Sequence, residues 1–79
     1  SAISKGCFIY VENVTCHAPK AGIVARVTES EISVMYITES TNVTNHFRIP
    51  ADMIDNYRIR WSEDMKTFHT FPEEETDDT

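Results

Sequence analysis

Glycine occurs only twice in the 79 residues, at Gly6 and Gly22. A glycine-rich phosphate loop is therefore excluded, and no Gly-x-Ser-x-Gly or His-Glu-x-x-His segment supplies another recognised catalytic motif. Long apolar runs are missing too. None approaches the roughly 20 residues that a membrane-spanning helix needs, and no charged start followed by an apolar block marks a signal peptide. A soluble, cytoplasmic, non-enzymatic domain without cofactor or membrane partner is expected. Cysteine is scarce: Cys7 and Cys16 do not make the dense disulfide framework of a small secreted scaffold. Net positive charge is also lacking, since 13 acidic side chains face 7 basic ones for a formal charge of −6.

The acidity is concentrated at one end. Glu73, Glu74, Glu75, Asp77 and Asp78 fall in the last seven residues, which leaves residues 1–72 with 8 acidic and 7 basic side chains. Residues 72–79 are expected to be a disordered acidic tail and residues 1–5 a flexible lead-in, with one folded body over 6–71. A chain this short buries only about 60% of its unfolded surface, so a modest core must suffice. Hydrophobic residues make up 41% of the chain, too many for disorder throughout.

The body reads as short strands. From Gly6 to Val14, Cys7, Ile9 and Val11 alternate with Phe8, Tyr10 and Glu12, the period of a strand with two unlike faces. Residues 15–21 form a loop containing Pro19, after which Ile23, Ala25 and Val27 alternate with Val24, Arg26 and Thr28. Beyond a tight turn at Glu29–Glu31, a third strand sets Ile32, Val34 and Tyr36 against Ser33, Met35 and Ile37, apolar on both faces. Residues 39–45 are polar and read as a loop. Then Phe47 and Ile49 alternate with His46 and Arg48, and Tyr57, Ile59 and Trp61 alternate with Arg58 and Arg60. Between these two strands, Pro50 followed by Ala51–Asp55 suits one 3₁₀ or α turn, with Met53 and Ile54 placed to plug the end of a barrel. After Trp61, Ser62 either caps a short helix or leads to an edge extension, and an irregular segment packed by Phe68 and Phe71 is expected.

The stretch Ile49-Pro50-Ala51-Asp52-Met53-Ile54 resembles the segment of SH3-like domains in which a strand ends in proline, makes a 3₁₀ turn and enters the last strand. The resemblance is architectural and covers residues 6–62. It implies an all-β fold, a small five-stranded SH3-like barrel with a one-turn plug before the last strand, of the kind found in short bacterial and phage proteins. Peptide-binding SH3 signatures are missing: there is no Ala-Leu-Tyr-Asp-Tyr motif, no Trp-Trp pair and no Ser-Asn-Tyr in the plug. Recognition of proline-rich ligands therefore does not carry over. An OB-like barrel is the alternative, but it places a proper helix between strands three and four.

Two surfaces compete as functional candidates. Phe8 and Tyr10 on the first strand, Met35 and Ile37 on the third, and Phe68 and Phe71 supply more large apolar groups than so small an inside needs. Such a surplus points to a protein partner or to self-association. The other candidate is a basic face made by Arg26, Arg48, Arg58 and Arg60 with His46, suited to single-stranded nucleic acid where aromatic rings lie nearby, with the acidic tail competing for it. Glu12, Glu29, Glu31 and Glu39 are available to neutralise it. Adjacent residues seldom aim their side chains at one another and nothing in the sequence marks a third, orienting residue, so Cys16 and His17 make a poor nucleophile and base. With Cys7, His46 and His69 they match no zinc-ligand spacing. A Cys7–Cys16 disulfide stays open, with Cys7 as a small buried hydrophobe the favoured reading. The sequons at Asn13 and Asn42 are no more than composition predicts.

Overall fold

In the computed structural model, residues 2–15, 19–38 and 43–73 are described. The elements are β1 (Phe8–Asn13), β2 (Lys20–Val27), β3 (Glu31–Thr38), β4 (Val43–Pro50), a 3₁₀ helix (Ala51–Asn56), β5 (Tyr57–Ser62) and β6 (His69–Phe71). They form one antiparallel sheet in the order β4-β3-β2-β1-β5-β6. The all-β expectation holds, whereas a closed five-stranded barrel is not what forms. A sixth strand lies on the free edge of β5, the edge that would have to meet β4 for the sheet to close. Two boundaries move as well: β2 begins at Lys20 and β4 at Val43, each inside a segment expected to be loop.

The inner face carries the core. Cys7, Ile9, Val11, Val24, Ile32, Val34, Ile49, Ile59 and Trp61 are buried, and Ile3, Phe47, Ile54, Tyr57 and Phe71 pack against them. On β1, β3, β4 and β5 these are the residues that period-two alternation sends to one face. β2 departs from it. Its register jumps between Val24, opposite Val34, and Arg26, opposite Ser33, so Ala25 is a bulge. Val34 and Ser33 point to opposite faces, so the bulge places Val24 inside and Arg26 outside, where strict alternation would put both on one face. Ile23, opposite Met35, is left on the outer face at 40% exposure.

β2 also changes partner along its length. Residues 20–23 pair with β1 and residues 23–27 with β3. Gly22 sits at this junction, where an added Cβ would collide with the backbone oxygen of Met35. No side chain fits there, so glycine permits the close approach of two strands.

The 3₁₀ helix starts after Pro50, whose φ of −64° and ψ of 142° are extended, and ends where the Tyr57 amide donates to the Ile54 carbonyl. Ile54 packs on the core, but Met53 is 47% exposed and plugs nothing. With three residues per turn, adjacent side chains diverge by about 120°, so the two cannot both face inward.

The segment after β5 is irregular and then straightens into β6. Ser62 Oγ accepts a hydrogen bond from the Met65 amide (2.8 Å), as a helix cap would, and donates to Asp64 Oδ1 (3.1 Å). Asp64 Oδ1 in turn accepts from the amides of Lys66 (2.8 Å) and Thr67 (2.9 Å). Those bonds gather the chain into a turn, and Met65 at φ +64° leaves the helical region. The cap is present, and no helix follows it.

Candidate functional site

The outer face of the sheet holds the candidate residues, and the strand register gives their arrangement. One row runs His46–Met35–Ile23–Phe8 across β4, β3, β2 and β1 by direct cross-strand pairing. Met35 and Ile23 are 38% and 40% exposed and border a shallow cleft of about 240 Å³ with Ala21 and Thr44. Phe8 is half-buried, because Phe68 lies edge-on against it at 6.1 Å between ring centroids. The Arg60 guanidinium stands over Phe68 at 5.7 Å, a cation–π contact at the end of the row. The outer face therefore carries a continuous apolar stripe, with histidine at one end and arginine at the other.

The four arginines do not form one patch. Arg26 and Arg48 flank Ser33 on neighbouring strands, and Arg48 Nη1 lies 3.7 Å from Glu31 Oε1. Arg58 and Arg60 lie on β5, opposite Glu12 and Tyr10 of β1. β4 and β5 are separated by three strands in the ladder. At about 4.8 Å per strand Arg48 stands roughly 19 Å from β5 along the sheet and Arg26, on β2, roughly 10 Å, and the curl that brings Ile49 and Ile59 into one core splays the outer side chains further.

The Arg58–Arg60 pair borders a groove of about 440 Å³, together with Tyr10, Glu12, Thr70 and Glu73. Two guanidiniums, a phenol and a hydroxyl meet there, and two carboxylates at the same groove balance the charge. Tyr10 is 37% exposed at its rim. His46 is exposed on β4, far from this groove in the ladder.

Elsewhere, the ring contacts add what alternation alone does not reveal. Lys20 Nζ lies 4.9 Å from the centroid of Tyr36, which tilts against Phe47 at 5.6 Å. Trp61 faces His69 at 5.5 Å, and its buried Nε1 has no hydrogen-bond partner among the described residues. At Asp64, the amides of Thr67 and then Lys66 hold the carboxyl below the usual carboxylate range. Cys7 is a free, buried thiol 3.4 Å from Ser4 Oγ; Cys16 and His17 lie outside the described residues. Among the described residues no three His, Cys, Asp or Glu side chains gather as metal ligands, and no helix is long and apolar enough to cross a membrane.

Residues 1–68 match the family described as a domain of unknown function, DUF5026, and the chain belongs to that family. No curated protein and no solved structure matches it.

Proposed function

We propose that the chain is a non-enzymatic interaction module that docks another protein through its outer sheet face. The single observation that carries this reading is the stripe Met35–Ile23–Phe8, continued by Phe68, with two half-exposed aliphatic side chains bordering an apolar cleft. The inner face is already filled by the buried cluster, so these side chains contribute nothing further to the core. An apolar stripe flanked by arginine is typical of the centre and rim of a protein interface. The scaffold is read as SH3-like: a meander in the order β4-β3-β2-β1-β5, a long β2 shared between two partners and a 3₁₀ turn before β5 support that assignment, with β6 as an addition.

The test is a pair of charge insertions, Ile23→Glu and Met35→Glu, read against Met53→Glu as a control on another exposed methionine. A photo-crosslinker at Tyr10 would report the partner. Loss of the crosslinked species in both stripe variants but not in the control, with unchanged circular dichroism, is expected. Equal crosslinking in all four proteins would sink the outer-face reading.

A second reading, single-stranded nucleic acid, is favoured by one local arrangement: Tyr10 opposite Arg60 and Phe68 beneath the Arg60 guanidinium. Bases would stack on those rings while Arg58 and Arg60 meet phosphates. Arg26 and Arg48 would take no part. Fluorescence anisotropy with an oligothymidylate at low salt decides it: this reading predicts binding that weakens with added salt and is lost in Arg60→Ala.

A further inference from the structure

We infer that β4 is a self-pairing edge, at which two copies of this chain join their sheets about a two-fold axis through His46. The proposal goes beyond the outer-face reading, because it uses the backbone of the sheet edge rather than the apolar stripe.

The two ends of the sheet are built differently. β6 is three residues long and is followed at once by Pro72, which has no amide hydrogen to offer a further strand. Short length and proline are the usual ways of blunting an edge. β4 is eight residues long, has no bulge in its register with β3, and carries proline only at its last position. Its one arginine, Arg48, leans on Glu31 of the same sheet.

Which backbone groups of β4 face outward follows from the ladder. The Ala51 amide donates to the Ser30 carbonyl at 2.8 Å, one step beyond the pair Glu31–Pro50. In an antiparallel pair, hydrogen-bonded and non-hydrogen-bonded positions alternate. Hence Ile49, Phe47, Asn45 and Val43 turn their amides and carbonyls to β3, while Thr44, His46 and Arg48 turn theirs away from the sheet. Pro50 falls in the outward phase, where its missing amide costs the ladder nothing.

Three outward residues spaced by two are symmetric about the middle one. An antiparallel second copy registered with His46 opposite His46 pairs Thr44 with Arg48 and Arg48 with Thr44, so the amide and carbonyl of each of these three residues find a partner. A shift of two residues toward the C-terminus sets Thr44 against Pro50, which cannot donate, and brings Arg48 opposite His46. The centred register also avoids arginine facing arginine. It therefore satisfies the edge with its own sequence, as an isologous two-fold contact requires. Side chains at 44, 46 and 48 lie on the outer face, so the stripe ending at His46 would run on into that of the second copy.

Light scattering after size exclusion tests this on the full chain, with a charge-swap at the axis. Wild type is expected to show a concentration-dependent dimer. His46→Lys and His46→Glu each place like charges face to face and are expected to weaken it on the order of fivefold. An equimolar mixture of the two is expected to recover dimer, as a heterodimer resolved by native mass spectrometry. A wild-type monomer at every concentration would overturn the proposal, as would a dimer that neither charge variant weakens or that the mixture fails to restore. Ile23→Glu separates the two readings: it removes outer-face docking and leaves a dimer made through β4 in place.

Discussion

The two faces of this one sheet are made from similar residues and differ in what covers them. On the inner face Ile9, Val24, Val34, Ile49 and Ile59 are at most 1% exposed. On the outer face Ile23 and Met35 stay about two-fifths exposed, one residue away from Val24 and Val34 on the same strands. Apolar character alone therefore does not decide burial here; position relative to the curl of the sheet does. The concave side closes on itself around the core, and the convex side finds cover only where another segment reaches it, as Phe68 does over Phe8.

The sharpest way to break the comparison is to replace one isoleucine on each face. Ile59→Ala on the inner face is expected to cost about 2–5 kcal/mol, because a cavity is left in a packed cluster, and urea denaturation would measure it. Adding a single methyl between two strands is next in size. Gly22→Ala is expected to cost about 1–3 kcal/mol, since its Cβ meets the Met35 carbonyl and the strands must part; a loss below 0.5 kcal/mol, ~RT, would show that they part freely. On the outer face, Ile23→Glu is expected to change stability by less than about 1 kcal/mol while abolishing docking. Separating the stability and binding effects at Ile23 is what the contrast of faces demands.

The smallest effects belong to the surface. Arg48→Ala should lower stability by no more than about 0.5 kcal/mol, since the Glu31 pair is long and Arg48 is 71% exposed. Asp64 makes a pH-dependent contribution whose sign is fixed by its depressed pKa. The stabilisation it gives is complete above the unfolded value near 4 and is lost as pH falls through the lower folded value. Thermal melts of Asp64→Asn and wild type should thus differ at pH 6 and converge toward pH 2.

Much of the fold was legible in local pattern. Period-two alternation identified the inward residues of β1, β3, β4 and β5, and Pro50 with the short segment after it marked the 3₁₀ turn. Less of the candidate site was. Arg48, Arg58 and Arg60 alternate correctly to the outside and Arg26 reaches it through the bulge, yet alternation says nothing of which strands are neighbours, and the sheet order divides the four into two pairs. Phe8 looked exposed because its cover, Phe68, is sixty positions away in the chain. Ser62 reads as a cap and acts as one, but the Asp64 carboxylate, by capturing the next amides, turns the chain before a helix begins.

What the sequence by itself determined, then, is whatever depends on neighbours within a few residues: strand identity, the side each residue takes on β1, β3, β4 and β5, the proline-led turn and the concentration of acid at one end. Only the tertiary structure decided the bulge at Ala25 that separates Val24 from Arg26, the sixth strand that occupies the edge of β5, and the long edge of β4 with no further strand beside it among the described residues. Side-chain alternation is a property of a single extended chain. Register, strand order and the fate of an edge are properties of pairs of strands, and the bonds that fix them join residues distant in sequence.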